Sequence, residues 1–261
     1  MELFKIMNNT LTLTKKEFKK VMEVIKYASK EEARPILKAV HFAGDEVVAL
    51  DGYRIAIRKL NTKLDVNCNI DAKDLKEVIK LVTKEVKNIK MEFNNHTFIV
   101  ELLGENDKLI DIKYYAYVEG SYINYKSIIN IDALKFNTAA SIEFNILHPI
   151  KDLILYLKKI NKQNKCIKLD INNGLTIRQD ITNKKQNPLN GNIESWSDKE
   201  YFNYKCNGKL VIGVNHVYFK NMLENYKKDK DIKIYFTGST SPIFMSNESG
   251  CDAVLPIRII N

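Results

Sequence analysis

Cysteine, histidine and glycine are scarce in this chain, and each scarcity excludes something. The four cysteines, Cys68, Cys166, Cys206 and Cys251, lie far apart and form no C-x-x-C pair. That rules out a disulfide framework and a zinc-finger spacing by pattern. The four histidines, His41, His96, His148 and His216, are equally scattered. Ten glycines in 261 residues give no Gly-x-x-x-x-Gly-Lys phosphate loop and no Gly-x-Ser-x-Gly elbow. No metal, cofactor or catalytic group is expected, and we do not expect an enzyme. No apolar run approaches the ~18 residues of a membrane span. The opening MELFKIMNNT brings acidic and polar residues too early for a secretory signal. We therefore expect a cytoplasmic chain with reduced thiols, in which the Asn-x-Ser/Thr matches at Asn8, Asn95 and Asn247 carry nothing.

What is present is a globular composition: 45% hydrophobic and 28% charged residues, enough to build a core. The length suits one large domain or two of about 130 residues. Four segments share one helical pattern. With Phe18, Leu75, Ile150 and Phe219 as position i, apolar residues recur at i, i+3, i+4 and i+7. The sets are Phe18, Val21, Met22, Ile25; Leu75, Val78, Ile79, Val82; Ile150, Leu153, Ile154, Leu157; and Phe219, Met222, Leu223, Tyr226. That is one buried face of a helix. Thr14, Asp71 and Asn215 stand four residues before three of these as N-caps, and the third helix opens on His148-Pro149 instead.

Strand-like pairs follow each helix. Asp51-Gly52 joins two of them, Asn94-Asn95 a second pair, and Asn173-Gly174 a third, all turn-forming dipeptides. Helix followed by strands, four times at about 57 to 75 residues, is an internal repeat. We expect an α+β fold of two similar domains, 1–130 and 131–261, each with two helices on curved antiparallel sheet.

The net charge of +9 is concentrated on those helices. Segments 14–30, 71–84, 148–165 and 215–230 carry more positive charge than the whole chain, so the remainder is slightly acidic. Position i+1 is lysine in all four: Lys19, Lys76, Lys151 and Lys220. One such face is ordinary solvated surface. Four in the same register make a surface that holds phosphates without reading bases. No aromatic stacking platform interleaves the lysines, and no arginine-rich recognition helix exists. The candidate DNA-binding residues are Lys16, Lys19, Lys20, Lys26, Lys76, Lys80, Lys151, Lys158, Lys159, Lys220 and Lys227, and the expected partner is double-stranded DNA of any sequence.

EEARPILKAVHF, ALDGYRIAIRKL, VEGSYINYKSII, GVNHVYFKNML and SPIFMSNESGCDAVLPIRI occur in that order between residues 31 and 259. Together they resemble segments of the middle and last domains of the sliding clamps that form the β subunit of bacterial replicative DNA polymerase. The resemblance implies the DNA clamp fold, a ring around duplex DNA, and a cleft that receives peptides from polymerases and the clamp loader. It places in that cleft Leu37, Leu50, Gly52, Tyr53, Arg54, Ile55, Ile123, Ile128, Asn215, Tyr218, Pro242, Val254, Leu255, Pro256, Ile257 and Arg258. Tyr53 stands where the family often has His, and Ile123 where it has Pro. Family members have three domains and pair into six-domain rings; a chain with room for two implies a homotrimer. The expected function is a processivity factor. A clamp-like peptide-binding decoy that does not encircle DNA is the alternative, and a small basic nucleic-acid enzyme is a third reading.

Overall fold

A computed structural model of the protein describes residues 9–95, 97–129, 137–145, 147, 149–160, 165–179, 199–229 and 232–259. Two compact units divide the chain: Met1–Asn124 with Glu248–Gly250, and Tyr125–Asn247 with Cys251–Asn261.

The first unit runs through two copies of one motif, strand–helix–three strands. The first copy is β1 (Thr10–Thr14), α1 (Lys15–Val21), β2 (Ala39–Ala43), β3 (Glu46–Leu50) and β4 (Arg54–Lys59). The second is β5 (Asn67–Asp71), α2 (Ala72–Leu81), β6 (Asn88–Phe93), β7 (Thr97–Leu103) and β8 (Leu109–Ala116). Each copy gives its first strand to the other. β1 pairs with β6, extending β6-β7-β8, and β5 pairs with β2, extending β4-β3-β2. The exchange ties the copies into one core. Phe18, Val21, Leu75 and Val78 from the helices meet Phe42, Ile89, Met91 and Phe98 from the strands. The Phe93 ring lies 5.2 Å from both Phe42 and Phe98, tilted against each.

The second unit repeats the scheme. After the short helix α3 (Tyr125–Ile128) come β9 (Ala140–Phe144), α4 (Ile150–Lys159), β10 (Cys166–Ile171), β11 (Leu175–Gln179) and β12 (Glu200–Phe202). Then follow β13 (Lys205–Asn207), β14 (Leu210–Asn215), α5 (His216–Tyr226), β15 (Ile232–Phe236), β16 (Ile243–Asn247), β17 (Gly250–Val254) and β18 (Pro256–Ile257). Strand exchange recurs: β9 pairs with β15, and β14 with β10. Leu153, Ile154 and Leu157 pack with Phe219, Met222 and Leu223 over Ile167, Leu169, Ile212 and Phe236. The Tyr226 hydroxyl donates to the Met245 carbonyl at 3.0 Å. The exchanged pairs β1–β6, β2–β5, β9–β15 and β10–β14 are all antiparallel.

The apolar positions of all four expected helices are buried except Ile79, which is half-buried. The first helix is shorter than its periodicity suggests. After Val21 it tightens into a 3-10 segment, Met22–Tyr27. A three-residue period eclipses residues at i and i+3. It buries Val24 and Tyr27 in line with Val21, which the 3.6-residue helix would turn outward. His96, His148 and residues 130–136 lie outside the described residues. Among the described residues no helix is long and apolar enough to cross a membrane, and no His/Cys/Asp/Glu cluster could hold a metal ion.

Candidate nucleic-acid and peptide interfaces

The helices are positioned by their caps and buried stripes. Thr14 closes a capping box on α1: its Oγ1 accepts from the Glu17 amide, while Glu17 accepts from the Thr14 amide at 2.9 Å. These bonds from Thr14 hold the Glu17 carboxyl below its usual range. Asp71 caps α2, accepting from the Lys73 amide at 2.7 Å. Asn215 caps α5, accepting from the Val217 and Tyr218 amides. Pro149 opens α4 without a side-chain cap.

With the apolar stripes turned inward, the lysines are left outside. Lys16, Lys19, Lys26, Lys76, Lys80, Lys151, Lys158, Lys159 and Lys227 are exposed, and Lys20 and Lys220 are half-buried. In the second unit α4 and α5 share one outer surface. Lys158 from α4 and Lys220 from α5 approach the same carboxylate, Glu224, at 3.7 and 3.8 Å. Sequence reasoning passed over Glu224. Its place four residues after Lys220 is the helical spacing of an ion pair and was the available signal. Lys20 in the first unit pairs with Glu23 at 3.3 Å.

The Asp51-Gly52 turn is a hairpin joining β3 to β4, with Leu50 opposite Ile55. Gly52 takes φ of +88°, the left-handed region that glycine enters at no steric cost. Asp51 Oδ1 accepts from the amides of Tyr53 and Arg54. Arg54 completes the turn. Its Nε donates to Asp51 Oδ2 at 2.8 Å, its Nη2 donates to the Lys26 carbonyl at 2.7 Å, and its guanidinium lies 5.0 Å over the Tyr27 ring. Tyr53 beside it is 57% exposed. The turn thus offers a tyrosine ring outward while its arginine is occupied inward.

The segment after β8 is pinned from below. Asn69 donates to the Gly120 carbonyl at 2.8 Å and meets His41 Nδ1 at 2.8 Å. The His41 ring stacks on Tyr122 with centroids 4.5 Å apart. Burial lowers the His41 pKa and pushes that of Tyr122 well up. Ile123, next in the chain, is left exposed at 38%. No motif marked His41 and Asn69, because a buried polar pair leaves no periodic trace.

The other residues placed in the cleft by resemblance fall into three groups. Leu37, Leu50, Ile55 and Val254 are buried. Asn215, Tyr218, Pro242, Pro256 and Ile257 are half-buried. Gly52, Leu255 and Arg258 are exposed. Ile128 lies in α3.

Over 99% of its length the chain superposes on the β chain of DNA polymerase III from Streptococcus pneumoniae, with TM-score 0.74, 20% identity and 67% of that chain covered. It superposes over 100% of its length on the subunit β from Borrelia burgdorferi, with TM-score 0.78, 20% identity and 67% of that chain covered. The fold is therefore the DNA clamp fold: α+β, with paired helices on antiparallel sheets. Residues 12–114 match the family described as DNA polymerase III beta subunit, central domain. The beta sliding clamp of Streptococcus pneumoniae is 25% identical over 264 residues, covering 95% of this chain. The chain spans 64% of the length of the curated sliding clamps it is similar to.

Proposed function

We propose that the chain is a sliding clamp, a processivity factor whose ring encircles duplex DNA and tethers a polymerase and other replication proteins through short peptides. One observation carries the reading. The clamp fold spans nearly the whole chain, and each of its four long helical segments turns lysines away from its unit's core. Such lysines attract any phosphate backbone diffusely, which permits sliding, while ring closure prevents escape. The work is topological and electrostatic and needs no bond-making group. Partner peptides would meet exposed apolar side chains of the first unit, Tyr53 and Ile123. The division into two clamp domains, resembling the middle and last domains of the family, is part of the same proposal.

Six domains close the ring in this reading, so three copies of a two-unit chain supply it. Strand β8 supports self-association. It ends its sheet, spans eight residues and exposes Leu109, Ile110 and Tyr114 at 52, 42 and 62%. A long edge with apolar side chains recruits another strand. β12 ends the five-stranded sheet of the second unit and exposes Tyr201, so it is the edge we assign to β8 of the next copy. Light scattering tests this. The expected mass is three times the 30.2 kDa of the chain, and Ile110→Lys should lower it to one. A wild-type monomer at micromolar concentration would favour the decoy that does not encircle DNA.

A further inference from the structure

We propose that a pocket beside α1 binds a nucleoside phosphate. The pocket lies in the first unit and has a volume of about 490 Å³, in the range of small-ligand sites. Four cations line it: Lys16 and Lys20 from α1, and Arg58 and Lys59 from the end of β4. Arg58 is 2% exposed, and a guanidinium stays protonated at any working pH. Its charge is therefore fixed in the pocket wall. Its Nη1 donates to the Ile57 carbonyl at 2.9 Å, and its Nη2 lies 3.8 Å from Glu23, the carboxylate that also pairs with Lys20. One carboxylate between two cations leaves the wall positive. Glu17 lines the pocket as well and remains an anion, its carboxylate accepting from the amide and hydroxyl of Thr14, so two lining carboxylates, Glu17 and Glu248, stand against four lining cations. Glu248 at the rim is exposed.

Part of the remaining lining is apolar. Leu13, Val21 and Leu60 face the same space. A phosphate alone would satisfy the cations and leave that patch wet; a nucleoside alone would do the reverse. A nucleoside phosphate fits both, with its oxygens on the cations and its base against the aliphatic wall. Asn61 and Ser249 complete the lining with neutral polar residues. The same chemistry has two sources: a free nucleotide, or the terminal nucleotide of a DNA strand.

Calorimetric titration of the full chain with dAMP, deoxyadenosine, inorganic phosphate and a short 5′-phosphorylated single strand tests the assignment. The key variant is Lys59→Gln, an exposed position outside the lysines proposed to track duplex DNA. We expect dAMP to bind at least tenfold more tightly than deoxyadenosine or phosphate. Lys59→Gln should weaken it about tenfold, the worth of one charge-assisted contact. A Lys59-dependent strand that outcompetes dAMP assigns the pocket to strand ends; a strand no tighter than dAMP assigns it to free nucleotides. No binding at millimolar dAMP overturns the proposal. So does phosphate binding as tightly as dAMP, or a Lys59→Gln variant that binds like wild type. None of these results depends on ring closure, so mass in solution tests the clamp separately.

Discussion

Arg54 holds the Asp51–Gly52 turn closed with its own side chain. It and Asp51 are only 9% and 10% exposed at the side chain, so removing the guanidinium leaves a shielded carboxylate and an uncovered Tyr27 ring. Breaking a buried pair by deleting one partner costs about 3 kcal/mol. We expect Arg54→Ala to lower the unfolding free energy by that order in urea titration, with loss of peptide binding following from the disordered turn. Tyr53→Ala, at an exposed position, should stay within about 0.5 kcal/mol of wild type yet weaken a labelled clamp-binding peptide. The pair of variants separates scaffold from contact at one turn. Two histidines contribute to the pH dependence. Burial lowers the pKa of His41, and burial with the neighbouring Lys220 lowers that of His216, from the ordinary 6.5. Below 6.5 the unfolded chain takes up protons at these histidines that the folded chain resists, so their contribution to stability rises with pH in that window and is flat above it. Stability should fall as pH drops through 6.5 toward the folded values. His216→Phe should flatten the slope measured by denaturant unfolding; an unchanged slope would remove His216 as a cause.

At the scale of elements, the caps are where local sequence decides most. Thr14→Ala removes the side-chain half of the capping box on α1, leaving the residue-14 amide to donate to Glu17, and should cost about 1 kcal/mol, read as a shift of the urea midpoint at constant slope. A Thr14→Ser variant keeps the acceptor and should recover most of it. These caps were legible in the sequence, as were the four buried stripes and the turn at Asn173-Gly174, where Asn173 takes φ of +53°. Each is a local pattern with a fixed period or a fixed residue preference. The exchange of first strands between the two copies of each motif was not legible. Strand alternation specifies which face is buried but not which neighbour is chosen, and the β1–β6 pair joins residues that are distant in the chain, such as Thr10 and Glu92. The 3-10 turn at Met22–Tyr27 escaped because one apolar stripe satisfies both the 3.6 and the 3.0 period until Val24 and Tyr27 are placed inside. Of the candidate interface, the outward lysines were read from helical register, while the inward use of Arg54 depends on Lys26 and Tyr27, which no spacing connects to the turn.

At the scale of the whole molecule, the proposed DNA binding rests on net charge at the helix surfaces rather than on any single contact. A protein that neutralises Z phosphates loses affinity with salt at a log–log slope of about −0.9Z. Replacing Lys16, Lys19, Lys20, Lys151, Lys158 and Lys159 by alanine leaves the apolar stripes intact, since none of the six is buried. Those changes should make the slope shallower by several units without altering the far-ultraviolet circular dichroism. Glu224 provides the opposite perturbation. Its carboxylate sits between Lys158 and Lys220 and offsets part of their field. Glu224→Gln keeps the side-chain shape and the helix, removes that negative charge, and should tighten binding to duplex DNA at low salt. Fluorescence anisotropy on one duplex across a salt series reads both variants. A lysine-to-alanine variant with the wild-type slope would mean that DNA does not pass along these helices, and a Glu224→Gln variant with unchanged affinity would take the α4–α5 surface out of the path. Tightening by Glu224→Gln that disappears when Lys158 and Lys220 are also replaced would localise the effect to that surface, because the carboxylate acts through the two lysines it separates.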